Sequence, residues 1–155
     1  MTKELDFDQS AAHKYYAANC FNRAWDLIDK TDRTFAEDED MIRLSLASHY
    51  HWTQREDYTN TNASIAHWQT SHIYALLGQA DNARCYGQLC LEVSQAEDIP
   101  PFFLGYAFEA LARAEATAGN QKKSQVYIEQ ARSVAEKIQK AEDKEQLLKE
   151  LDSIN

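Results

Sequence analysis

Gly78 and Gly119 stand 41 residues apart, and the residues around them recur in order. Aligning 64–98 with 105–139 places Ser71 on Ala112, Ala83 on Ser124 and Cys90 on Ala131. Each glycine falls where a helical period ends, the position at which a left-handed backbone closes a helix. The small residues on either side let two helices approach closely. The repeated unit is therefore a helical hairpin, and stacked hairpins bury a common core that one alone cannot.

The rest of the chain agrees with helix. Twenty-two alanines face three valines, and alanine loses no side-chain entropy in a helix while β-branched residues do. Four glycines cannot supply the turns of an all-β domain, and their separation excludes a glycine-rich phosphate loop. The periodicity predicts seven helices: 9–29, 36–55, 62–77, 81–97, one opened by Pro100-Pro101 and closed before Gly119, 121–138 and 142–153. Nothing between Lys140 and Asp143 forces the last two apart. Thr34 and Glu37 have capping-box spacing, which makes the acidic run Glu37–Asp40 a helix start. Gly87 reads as a packing glycine in the second helix of its hairpin.

Ser71, Tyr74, Gly78, Ala83, Gly87 and Cys90 resemble the motif of the tetratricopeptide repeat (TPR), as do Ala112, Glu115, Gly119, Ser124, Ile128 and Ala131. The aromatic of that motif is Tyr74 in the first unit but is replaced by Glu115 in the second. The period of 41 is similar to the longer-helix variants of the family, and the layout to small bacterial proteins of this kind. The resemblance implies an all-α, TPR-like α-α superhelix of about three hairpins over one domain, 1–155. Residues 1–58 make a degenerate first hairpin, 62–98 and 103–139 clear repeats, and 142–153 a capping helix.

The resemblance also implies a concave groove lined by the first helix of each unit. The matching positions are Ile65, Trp68, Gln69, His72 and Leu76, then Tyr106, Glu109, Ala110, Arg113 and Thr117. It implies a noncatalytic scaffold for a protein or peptide. The formal net charge is −9, and 61–120 carries only Arg84 and Arg113 as bases. Nucleic acid and anionic membranes, which need a basic footprint, are not expected partners. An acidic groove favours a basic or apolar segment. Glu109 and Arg113, four apart, are expected to form a solvated pair on the helix surface.

The other expectation is a small-molecule or metal-binding helical protein, a sensor or enzyme. Its pocket would lie near Trp52, Trp68 and His72, with His51 and His67 beside them. Spacing disfavours it. No histidine has Asp, Glu, His or Cys three or four places away, so no single helix presents two ligands on one face. There is no G-x-S-x-G elbow and no C-x-x-C, so no catalytic residue and no cofactor is assigned. Three cysteines suit reduced thiols, and the first residues lack a signal-peptide pattern, so a cytoplasmic location is expected. A homodimer through Leu147, Leu148 and Leu151 is a further expectation.

Overall fold

The computed structural model describes residues 6–155. Among them the fold is all-α, with seven helices and no strand: α1 Gln9–Ile28, α2 Phe35–Thr53, α3 Asn60–Leu76, α4 Ala80–Ser94, α5 Pro101–Thr117, α6 Gln121–Ala135 and α7 Ala141–Asp152. They form two compact units, divided between Tyr58 and Thr59. None of the described helices is long and apolar enough to cross a membrane.

The first unit is the hairpin α1–α2. Asp8 caps α1 by accepting from the Ala11 N–H at 2.9 Å. At α2 both halves of the expected capping box form, with Glu37 N–H donating to Thr34 Oγ1 and Thr34 N–H donating to Glu37 Oε2. Ala17, Cys20 and Ala24 are buried on α1, and Met41, Ser45 and Ser48 on α2. Small side chains bring the backbones close enough for Ser48 Oγ to donate to the Ala17 carbonyl at 2.7 Å. Arg33 closes the hairpin. Its guanidinium donates to the carbonyls of Leu27 and Ile28 in the last turn of α1, to that of Lys30 in the link, and to Asp38 of α2.

The second unit contains α3 to α7 and realises the repeat. The first helices α3 and α5 both have 17 residues, and the second helices α4 and α6 both have 15. Both turns close alike. Gly78 has φ +73 and Gly119 φ +81. Gln79 N–H donates to the Tyr74 carbonyl, and Asn120 N–H to the Glu115 carbonyl, each at 2.9 Å. This is the six-to-one bond of a Schellman closure. Inside the hairpins, Ser71 Oγ of α3 donates to the Ala83 carbonyl of α4 at 2.8 Å. In the next repeat Ser124 Oγ of α6 donates to the Ala112 carbonyl of α5 at the same distance. The paired positions match, but donor and acceptor have exchanged helices. At Gly87 an added Cβ would lie 3.0 Å from a Leu111 methyl, so this glycine does mark a close approach.

Within the second unit α5 packs on α3 and α4, and α7 on α5 and α6. The offset of 41 also extends further than its glycines reveal. It carries Tyr106 onto Leu147, Glu109 onto Glu150 and Ala110 onto Leu151. The last helix thus carries the first-helix positions once more. Leu147 and Leu151 are buried with Tyr106, Ile128, Ala131 and Ala135, and Leu147 lies over Gly105, where a Cβ would sit 2.5 Å from its methyl. These two leucines are spent in the unit's own core, which leaves the expected self-association through Leu147, Leu148 and Leu151 with only Leu148, itself packed against that core, to offer. The outer face of α7 is polar, with Glu142, Glu145, Lys149 and Asp152 exposed.

Two boundaries differ from the periodicity by three residues. Helix α4 ends at Ser94 rather than 97, and α6 at Ala135 rather than 138. A separate link divides α6 from α7. After each helix the bonds tighten to i→i−3, as in Ile99 N–H to Ala96 O and Ile138 N–H to Ala135 O. Pro100 disfavours helix at Ile99. Ile138 keeps the apolar spacing but reaches the core from the turn.

Candidate binding face

A polar ladder crosses the second unit where the groove is expected. Trp68 Nε1–H of α3 donates to Glu109 Oε2 of α5 at 2.7 Å. The two residues are 41 apart and so hold equivalent repeat positions. Arg113 Nε, one turn along α5, donates to Glu109 Oε1 at 2.7 Å. Its Nη2 continues to Ser153 Oγ at 3.1 Å and to Glu150 carbonyl and carboxylate oxygens at 3.4 Å. The ladder therefore links α3, α5 and the end of α7.

Glu109 is fully buried, which corrects the expected solvated Glu109–Arg113 pair. A buried carboxylate is tolerated where charged and hydrogen-bonding partners meet it, and Arg113 and the Trp68 indole do so here. His72 stacks on Trp68, with ring centroids 4.9 Å apart and planes 19° from parallel. Burial, and then the charge of Arg113, push the His72 imidazolium down to about 4, so the ring is neutral near pH 7. Tyr106 meets the edge of Trp68 at 5.6 Å, and burial holds its phenol well above the usual range.

The expected groove residues thus divide. Gln69, Tyr106, Glu109 and Ala110 are buried and have almost no surface to offer a ligand. Ile65, Trp68, His72, Arg113 and Thr117 are half-buried, and Leu76 is exposed. The Thr117 hydroxyl donates back to the Arg113 carbonyl at 2.9 Å. The surface left on this face runs from Ile65 through His72 to Leu76, with Thr117 on α5.

The turn aromatic also diverges between repeats. Tyr74 stacks on Tyr86 at 5.7 Å. Its counterpart Glu115 is buried and accepts from Arg84 Nε at 2.7 Å and from Asn120 Nδ2 at 2.8 Å, with Lys123 at 3.4 Å. The Arg84 bond, and then Asn120, bring its carboxyl down to about 2. Arg84 belongs to the preceding hairpin, so this ion pair ties the two repeats together.

No family model, curated protein or solved structure matches this chain.

The alternative pocket does not assemble within either unit. His51 and Trp52 lie in the first unit and His67, Trp68 and His72 in the second. The Arg55 guanidinium covers the Trp52 ring at 3.9 Å, and Asp57 holds Arg55 at 2.7 Å. His67 faces Tyr86 with centroids 6.2 Å apart. Cys20 and Cys90 are buried and Cys85 is exposed, all as free thiols. Burial pushes the Cys90 thiol up to about 11, which leaves it protonated and a poor nucleophile. Among the described residues no group of three or more His, Cys, Asp or Glu could hold a metal ion.

Sequence reasoning missed two contacts of the first unit. His13 Nδ1 lies 2.8 Å from His51 Nδ1, and His49 Nε2 lies 2.8 Å from the Tyr58 hydroxyl. The first spans 38 residues and two helices, so same-helix spacing could not find it. Only the hairpin register would have done so.

Proposed function

We propose that this chain is a noncatalytic, TPR-like scaffold that binds an apolar or basic peptide segment along the first-helix face of its repeats. The observation that carries the reading is the congruence of the two hairpins α3–α4 and α5–α6. They share helix lengths, the left-handed glycine and the six-to-one closure. Arrays of congruent hairpins hold successive first helices side by side, and such a rigid surface suits an extended or helical segment. The apolar character comes from Ile65 and Leu76. The basic preference comes from the acid excess of the chain.

Panning a displayed library of random peptides against the full chain tests this. Leu76→Asp alters the proposed face, and Leu89→Asp alters an exposed position on α4. Peptides that bind the wild type should lose affinity on the order of tenfold or more for Leu76→Asp and bind Leu89→Asp unchanged. Equal behaviour of the two variants, or no enriched peptide, overturns the proposal.

A further inference from the structure

The pair His13 and His51 has a geometry that the scaffold reading does not use. One imidazole comes from the second turn of α1 and the other from the last turn of α2. The hairpin sets their Nδ1 atoms 2.8 Å apart. At that distance one Nδ1 carries a hydrogen and the other accepts it, so the pair holds one proton between two lone pairs. Tyr16 flanks His51 with centroids 5.4 Å apart, and Tyr50 flanks both rings, at 6.3 Å from His13 and 5.5 Å from His51. These aromatic neighbours restrict the rings without supplying a charge.

We propose that His13 and His51 chelate a divalent transition-metal ion of the copper(II) or nickel(II) class. Neutral imidazole nitrogen is the ligand these ions favour, and on chelation the hydrogen of the donor ring moves from Nδ1 to Nε2 through solvent, which frees both Nδ1 lone pairs for the ion. The donor type selects the class: affinity for imidazole sites rises through nickel(II) to copper(II) and falls again at zinc(II). The rings now meet nearly end-on, with centroids 5.0 Å apart, and binding turns both so that their lone pairs converge.

Space for the remaining ligands lies beside His13. A cavity of about 170 Å³ is lined by Ser10, His13, Lys14, Gln54, Arg55, Glu56 and Asp57. Asp57 is taken by Arg55, and water completes the coordination. The Lys14 ammonium opposes the added charge and limits the affinity.

Calorimetric titration of the full chain, without a histidine tag, with copper(II) and nickel(II) chlorides tests the site. One ion per chain is expected, bound on the order of tenfold or more tighter than by His13→Ala or His51→Ala, because each variant loses the second tooth of the chelate. A metal-induced rise in melting temperature should appear in the wild type only. Equal binding by wild type and both variants, or none, overturns the proposal. Zinc binding tighter than copper and nickel overturns the assigned class. A second measurement needs no variant. Substoichiometric copper(II) should broaden the NMR ring signals of His13 and His51 before those of His49, His67 and His72, and uniform broadening overturns the site.

Discussion

The hairpin of the first unit and the two hairpins of the second solve the same problem by different chemistry. A helix that ends in a tight turn leaves carbonyls without intrahelical donors. In α3 and α5 a left-handed glycine folds the chain back, so that the N–H groups of Gly78 and Gln79, or of Gly119 and Asn120, fill the gap. In α1 the Lys30 N–H reaches the Leu27 carbonyl, and the Arg33 side chain, anchored to Asp38, adds donors to the Leu27 and Ile28 carbonyls. The glycine solution is local and asks nothing of the neighbours. The arginine solution needs a partner on the next helix and a loop of the right length. A local solution can be copied every 41 residues, and one that depends on its partners cannot. That is why the repeat is plain in the second unit and blurred in the first.

The largest effect should come where the second unit departs from its own repeat. Glu115→Ala leaves Arg84 facing a buried gap and should cost about 3 kcal/mol, read by urea unfolding. Acid should reproduce part of this loss. The Glu115 carboxyl lies at about 2, below the ordinary value of 4.5. Its contribution is therefore complete above pH 4.5 and lost as pH falls towards 2. Glu115→Gln should flatten the stability curve over that window, and an unchanged slope would show that the carboxylate is not ionised by its partners.

Arg33→Ala should come next, at about 2 kcal/mol, since it removes charge-assisted bonds to the carbonyls of Leu27, Ile28 and Lys30 and to Asp38. Hydrogen exchange should locate the loss in the last turn of α1 and leave α5 and α6 protected. Gly78→Ala and Gly119→Ala should each cost about 1 kcal/mol. Nothing lies within 4 Å of the added Cβ at either site, so the whole effect is backbone conformation. Thermal unfolding of the two variants should give matching losses, and a marked inequality would mean that the two closures are not equivalent.

The punctuation of the fold was legible because single residues carry it. Gly78, Gly119, Pro100-Pro101 and the Thr34/Glu37 box each act through their own backbone or a side chain three places away. The start of α3 was set two residues late because its capping box pairs Thr59 with Asn62, not with a glutamate or glutamine. The ends of α4 and α6 were set late because Ile99 and Ile138 extend the apolar spacing while their backbones have already left the helix. The candidate face was legible only as a set of positions. Which of them are buried depends on the Trp68–Glu109 bond and on α7 lying over Gly105, and both join residues about 40 places apart. The His13–His51 contact was invisible for the same reason.

The exchange of serine and alanine between the two hairpins has one further consequence. Ser71 with Ala83 and Ala112 with Ser124 build the same bond from opposite sides. Selection at this crossing acts on the pair, and neither position alone holds the information. The double variant Ser71→Ala, Ala83→Ser should therefore keep wild-type stability, while Ser71→Ala alone loses about 1 kcal/mol. Among descendants of such a repeat, the two sites should drift together: each column tolerates either residue, and only their joint occupancy records the constraint.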